Sequence, residues 1–266
     1  MKINACSVAF RHLDVSAADL ARYVMREGFD GLEIWLPHAR AMAEEWAALP
    51  ARSHVPMLAG YLPVGLPGFD AAEAEALCVL TRQWGAGRLR LFAGNLGSAE
   101  VTPERRDAIL RDLRETAQFA ALHGLRVAIE THPDTLADGL AETLGLLEEL
   151  DHPAIGVNFD VLHVWESGAD PLAAHAKLAP HILHYHLKNV TARDCLTVFN
   201  PGNVHDPAGS RQGMCPLFEG VLDYAHILAA LPWTAEASLE WFGPEPAATM
   251  ATDLSRARAV PAIAAA

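Results

Sequence analysis

Apolar and polar positions repeat along this chain with two periods. Short apolar runs rich in Val, Ile and Leu alternate with longer segments whose apolar residues recur every three or four positions. The first pattern is that of a strand buried on both faces, the second that of an amphipathic helix. Strand-like runs occupy residues 3–10, 31–36, 55–62, 88–92, 155–160 and 237–242, and two more open at Val127 and Ile182. Helix-like segments fall at 17–26, 41–49, 69–84, 103–123, 136–150, 171–178, 223–231 and 247–259. Local chemistry supports these boundaries. Ser16 and Thr102 suit N-caps, Pro103 fits a first helical position, and Gly28 and Gly124 stand where helices end. Strand and helix alternate through the whole length with no Ser/Gly linker and no strong internal repeat. The prediction is one domain over 1–266, an α/β chain closed as a parallel (β/α)8 barrel.

One connection breaks the rhythm. Residues 189–222 form a long stretch containing Gly202, Gly209, Gly213 and Gly220. A connection of this length in a compact domain is normally functional, so a lid-like loop is expected after the seventh strand.

Composition narrows the picture further. No apolar run approaches the roughly 20 residues of a membrane span, and the chain opens directly into a strand without a signal-peptide pattern. The four cysteines, Cys6, Cys78, Cys195 and Cys215, are scattered and form no CxxC pair. They read as reduced thiols of a cytoplasmic protein. A formal net charge of -13 argues against nucleic acid as a partner, because non-specific binding to phosphates relies on basic surface. A small anionic substrate stays open, since it needs only local Arg or Lys.

The candidate chemistry lies at the ends of the last four strands. Glu130, Asp160, His186 and Glu240 sit there, and a parallel barrel brings all such ends to one rim. Adjacent strands lie about 4.8 Å apart, so these side chains can converge on one ion. Three carboxylates and an imidazole make a hard, oxygen-rich set suited to one divalent cation, Mn²⁺ or Mg²⁺ first, with Co²⁺ or Zn²⁺ as alternatives. Any one of these residues alone is more often a strand-end polar group or an ion-pair partner; four on consecutive strands carry the metal reading. His184 shares a face with His186 but lies deeper, where a packed or hydrogen-bonded role is expected.

His132 and His163 follow Glu130 and Asp160 closely and project near the same point. Each suits a general base or acid near neutral pH, or a hydrogen-bonding support for the site. Lys188 and Arg90 are candidates to neutralise a substrate carboxylate. Tyr61, Arg11 and His12 stand at predicted strand ends and could line the pocket. Arg211 is a candidate lid contact, and Glu33 could pair with one of the cations instead of reaching the ion.

Longer motifs surround these residues. They include Ser7-Val-Ala-Phe-Arg-His12, Gly31-Leu-Glu-Ile-Trp35, Arg90-Leu-Phe-Ala-Gly94, Glu130-Thr-His-Pro133 and Asn158-Phe-Asp-Val-Leu-His-Val-Trp-Glu-Ser-Gly-Ala-Asp170. His184-Tyr-His-Leu-Lys-Asn189, Gly209-Ser-Arg-Gln-Gly-Met214, Pro216-Leu-Phe-Glu-Gly220 and Ser238-Leu-Glu-Trp-Phe-Gly243 complete the set. Together they resemble the sugar-isomerase-like TIM-barrel superfamily and, within it, the bacterial metal-dependent 3-dehydroshikimate dehydratases. The resemblance covers nearly the whole chain. The stretch with His163, Trp165, Glu166 and Asp170 is its most specific part, and His205-Asp-Pro207 in the lid is where the chain departs. The resemblance implies that Glu130, Asp160, His186 and Glu240 bind the ion. It places His132 and His163 beside the substrate, with Arg90, Lys188 and Tyr61 in contact with it. The implied reaction is dehydration of 3-dehydroshikimate to protocatechuate. His132 would take the C4 proton, and His163 or water on the ion would help the C5 hydroxyl leave.

Three other functions fit less well. A sugar or keto-acid isomerase or epimerase could use the same ion, but Arg90 with Lys188 favours a carboxylated substrate. An abasic-site endonuclease would carry more zinc ligands and less acidic surface, and a non-catalytic binding barrel would not need the full ligand set. The expected partners are therefore a small carboxylated substrate, neither nucleic acid nor membrane, with a homodimer allowed.

Overall fold

The computed structural model describes residues 1–261; most of the Ala-rich end, 262–266, lies outside the described residues. Seven strands come first in the chain: β1 (Lys2–Cys6), β2 (Gly31–Trp35), β3 (Met57–Ala59), β4 (Arg88–Leu91), β5 (Arg126–Glu130), β6 (Ile155–Asp160) and β7 (Ile182–Leu187). A small antiparallel pair, β8 (Asn189–Val190) and β9 (Met214–Cys215), precedes β10 (Glu236–Leu239). The barrel closes in the order β1-β10-β7-β6-β5-β4-β3-β2, and every pair in it is parallel. The helices are α1 (Ala17–Glu27), α2 (Leu36–Ala48), α3 (Ala71–Gln83), α4 (Pro103–Leu122), α5 (Leu140–Leu150), α6 (Val161–Glu166), α7 (Pro171–Leu178), α8 (Pro201–Val204), α9 (Tyr224–Ala230) and α10 (Pro246–Arg258). The predicted (β/α)8 TIM barrel is therefore the fold. None of the described helices is long and apolar enough to cross a membrane.

Strand geometry sorts the side chains. Successive residues point to opposite faces. One set, including Leu32, Ile34, Leu89, Leu91, Val127, Ile129, Val157, Phe159, Leu187 and Leu239, joins the buried apolar core. The alternate set, including Glu33, Arg90, Glu130, Asn158, Asp160, His184, His186 and Ser238, is polar and also buried. The apolar stripe binds sheet to helices, and the polar stripe fills the barrel.

Helix ends follow the predicted chemistry. Ser16 and Asp19 form a reciprocal capping box on α1, and Gly28 closes that helix in the left-handed region at φ 80. Thr102 caps α4, with Pro103 behind it.

Several boundaries differ from the sequence reading, each for a local reason. The first strand stops at Cys6, and Ser7–Phe10 turns as a 3-10 helix. There the Ser7 hydroxyl accepts the backbone N–H of Trp35 at 2.8 Å, ending the regular ladder. The third strand is only Met57–Ala59, with Pro56, which has no N–H to donate, just before it, and Tyr61 stands beyond the strand. α2 starts directly after β2, at Leu36. α5 begins at Leu140 rather than 136, since the Thr135 hydroxyl donates to His132 O and accepts from Ala137 N, stabilising a turn. α6 was not expected at all; the Asp160 carboxylate caps it through His163 N. The last strand ends at Leu239, which places Glu240 just past it.

The long connection after β7 is tied back to the barrel rim. Asn189 fastens both of its ends, donating to Leu217 O at 2.7 Å and Leu222 O at 2.9 Å. From β1's end, Arg11 donates to Val204 O at 2.7 Å and to Phe242 O at 2.9 Å, tying α8 to the rim. His205 stacks on Trp35 with centroids 5.6 Å apart. Phe199 packs against Phe242, and the Lys188 ammonium lies 5.8 Å from the Phe199 ring centroid.

Candidate metal centre and active site

The carboxyl ends of β5, β6 and β7, with the residue after β10, bring Glu130, Asp160, His186 and Glu240 together. One donor atom from each lies within 4.8 Å of the others, and all four residues are buried. His186 Nδ1 stands 3.5 Å from Glu130 Oε1, 3.5 Å from Glu240 Oε1 and 3.9 Å from Asp160 Oδ2. That nitrogen is buried and has no hydrogen-bond partner, an arrangement that is costly unless something else occupies its lone pair. Its other nitrogen, Nε2, is 3.0 Å from both oxygens of Glu33. A carboxylate there holds the proton on Nε2 and leaves Nδ1 bare for an ion. The donor set thus fits a divalent cation.

The electrostatics point the same way. Burial disfavours the imidazolium of His186, yet Glu33, Glu240 and Glu130 outweigh it and raise its pKa well above the usual value. So strong a negative potential is what a dication would meet. Burial disfavours the charged forms of Glu130 and Asp160 too, but both end below the usual carboxylate range. Arg90 and His186 hold down the first, and Lys188 and His163 the second. Four carboxylates, counting Glu33, face two permanent cations, so two negative charges remain with His186 neutral.

Those cations sit on the ligands themselves. Lys188 Nζ is 2.5 Å from Asp160 Oδ2 and 2.6 Å from Glu240 Oε2. Arg90 Nε lies 3.0 Å from Glu130 Oε2, close enough for an ion pair though out of line for a hydrogen bond. Arg90 also donates to Gly60 O at 3.3 Å and covers the Phe92 ring. His184 is fully buried, as expected; its Nε2 is 2.8 Å from Ser238 Oγ and 3.6 Å from Glu33.

Both candidate proton carriers stand beside the cluster, with ring centroids 4.4 Å apart. His132 Nδ1 is 2.6 Å from Pro133 O. A carbonyl can only accept, so Nδ1 carries the proton and Nε2 keeps its lone pair. Burial, then the neighbouring His163, pushes the His132 pKa down to about 3. His163 Nδ1 is 2.7 Å from Glu166 Oε2, and its Nε2 is 3.9 Å from Asp160 Oδ2.

Two expected substrate contacts stand apart from this group. Tyr61 is 53% exposed beyond β3. Arg211 donates to the lid carbonyls of Asn203, Ser210 and Asp206, so its guanidinium shapes the lid itself. The role of Glu33 as the partner of His186 was open in the sequence. The contact from Glu166 to His163 went unread there, although the i,i+3 spacing of the two residues was a usable signal once α6 is known.

The fold and site define a class, and the family comparison agrees: residues 21–259 match the xylose isomerase-like TIM barrel family, to which the chain belongs. The chain is 38% identical over 256 residues to a 3-dehydroshikimate dehydratase of Bacillus anthracis, covering 91% of each sequence. The crystal structure of the probable 3-DHS dehydratase AsbF of Bacillus anthracis, involved in petrobactin synthesis, superposes with a TM-score of 0.90 and 36% identity. That match covers 96% of this chain and 98% of the other. A Mycobacterium smegmatis barrel solved in complex with magnesium shares the fold, with a TM-score of 0.66, 18% identity and 97% and 96% coverage.

Proposed function

We propose that this chain is a divalent-metal-dependent 3-dehydroshikimate dehydratase, removing water from 3-dehydroshikimate to give protocatechuate. One observation carries the reading. The buried four-donor cluster and its two flanking histidines sit at the mouth of a barrel 38% identical, over 91% of its length, to a dehydratase of that name. Glu130, Asp160, His186 and Glu240 hold the ion, with Mn²⁺ or Mg²⁺ favoured by the oxygen-rich set. When bound, the ion supplies Lewis-acid stabilisation of the charge that develops on the substrate ketone oxygen.

The residues of the chain do the rest. His132 is kept neutral by burial, with Nε2 free, and takes the proton from C4. His163, protonated on both nitrogens with its Nδ1–H held by Glu166 Oε2, gives its Nε2 proton to the departing C5 hydroxyl, which leaves as water. Loss of a C6 proton, with the ketone oxygen gaining one, completes the aromatic ring. Lys188 and Arg90 are the cations nearest the cluster and receive the substrate carboxylate. Tyr61 approaches from the open edge and Arg211 from the lid. Phe199 and Phe242 keep water from the reacting carbons.

The test is direct. Protein stripped with chelator and reloaded with Mn²⁺ is incubated with 3-dehydroshikimate while ultraviolet absorbance is followed. A catechol product that depends on the metal supports the proposal. A rearranged, still aliphatic ketone would replace it with an isomerase.

A further inference from the structure

The two histidines at the mouth are held by different partners, and the second partner has no role in the reaction as described so far. His132 gives its Nδ1 proton to a neutral peptide carbonyl, Pro133 O. His163 instead faces a carboxylate, Glu166 Oε2, at 2.7 Å. Both residues lie on α6, whose i,i+3 spacing places the two side chains side by side. An ionised carboxylate only accepts, so this contact fixes the proton on Nδ1 and turns Nε2 toward the site.

α6 is six residues long, and the carbonyls of its last turn accept outside donors besides the Ser167 and Gly168 N–H groups. Arg193, at the start of the lid, provides them. Its guanidinium donates to Glu166 O and Trp165 O, each at 2.9 Å, and stacks 4.0 Å from the Trp165 ring centroid. Trp165 and Glu166 fall within the most specific motif of the chain, and this contact accounts for both.

We infer that Glu166 is a positioning residue for His163, and that Arg193 extends this support from the lid, so that lid placement and proton delivery are coupled. Glu166 lies outside the four-donor cluster and acts by holding the His163 ring with Nε2 facing the cluster. The inference rests on the dehydratase reading, and its failure can be told apart from failure of that reading.

The experiment uses the full-length, metal-loaded enzyme. Glu166→Ala is expected to lower kcat by about 10–100-fold, the usual size for losing the carboxylate partner of a functional histidine, with KM within about twofold. Glu166→Gln keeps an acceptor in the same place and should recover at least about fivefold over Glu166→Ala. Arg193→Ala should lower kcat less, and adding it to Glu166→Ala should cause no further loss, because the two act in one chain of contacts. Nitrogen-15 spectra of magnesium-loaded protein, taken at a pH where the His163 ring has given up its Nε2 proton, should show the remaining proton on Nδ1 in wild type and a mixed tautomer in Glu166→Ala.

A Glu166→Ala kcat within twofold of wild type, a loss carried equally by KM, or an unchanged tautomer in that variant overturns the inference. If Glu166→Ala does not fold, the isosteric Glu166→Gln and the wild-type spectrum still decide it. If wild type makes no catechol, the dehydratase reading fails, while the tautomer measurement still reports on the Glu166 contact.

Discussion

Two arginines on one strand meet opposite fates. Arg88 and Arg90 are two residues apart on β4 and both point into the barrel. Toward the floor, Arg88 Nη1 binds Glu236 Oε2 at 2.7 Å, with 26% and 11% of the side chains exposed. His54 shares the same carboxylate at 3.0 Å. Toward the mouth, Arg90 meets Glu130 with only 9% and 3% exposed. The floor has one carboxylate for one permanent cation and is balanced within itself. The mouth has Glu33, Glu130, Asp160 and Glu240 against Arg90 and Lys188, and it is left negative. A balanced, wetted pair contributes little to stability. An unbalanced, buried cluster is costly to build and persists where a cation is to be bound. The difference separates a structural end of the barrel from a chemical one.

The contrast yields predictions, the largest first. Removing the ion with chelator should cost several kcal/mol of transition-state stabilisation, about 10³-fold in turnover, and Mn²⁺ should restore it. Residual activity near that of the untreated enzyme would mean the mouth's excess charge serves another purpose. His132→Ala should reduce kcat by roughly 10²–10⁴-fold with metal content unchanged, as read by elemental analysis. Normal turnover in that variant would send the search for a base elsewhere.

Arg90→Ala and Arg88→Ala sharpen the comparison itself. Stripping the buried Arg90 from Glu130 should cost about 3–5 kcal/mol of stability. Stripping the wetter Arg88 from Glu236 should cost about 1 kcal/mol or less and leave kcat intact. Equal losses in urea melts would show that the two ends do not differ as described. Glu33→Gln should weaken Mn²⁺ binding about 10–100-fold in calorimetry without touching the donor set, because His186 loses the charged partner of Nε2.

The smallest effect concerns acid. Burial opposes ionisation of Glu236, but the hydrogen bond and charge of Arg88 outweigh it and lower its pKa. A lowered folded-state pKa stabilises above the unfolded value, and that stability is lost as pH falls through the folded value. Wild type should therefore hold a Tm advantage over Glu236→Gln at neutral pH that shrinks from about pH 5 downward. An advantage that stays constant into acid would remove the Glu236 charge from the account.

The order and type of the elements were legible because burial on both faces of a strand and on one face of a helix leaves a periodic trace. Ser16, Thr102, Gly28 and Gly124 were legible because caps depend on neighbours in sequence. Short elements left no such trace. α6 has too few residues for a helical period to stand out, and the first strand looked longer because Ser7–Phe10 is apolar although it turns.

The candidate donors could be picked out in the same way, since Glu130, Asp160, His186 and Glu240 each break an apolar run or close one. What they touch could not. Arg90 and Lys188 are read from the sequence as cations for a substrate carboxylate; the structure adds that both also lie on the carboxylates of the cluster. Arg211 is read from the sequence as a lid contact, and its bonds to the carbonyls of Asn203, Ser210 and Asp206 appear only in the folded chain.

The sequence by itself determined the alternation that builds the barrel and the residue types available at its mouth, because both are written in local spacing and polarity. Tertiary structure alone decided which nitrogen of His186 is bare, that Glu33 stands behind it, and that Arg193 reaches the end of α6 from the lid. Those facts depend on barrel closure, which brings β2 to β7 and the lid to α6. Contacts made across a closed sheet have no period in the chain from which they could be read.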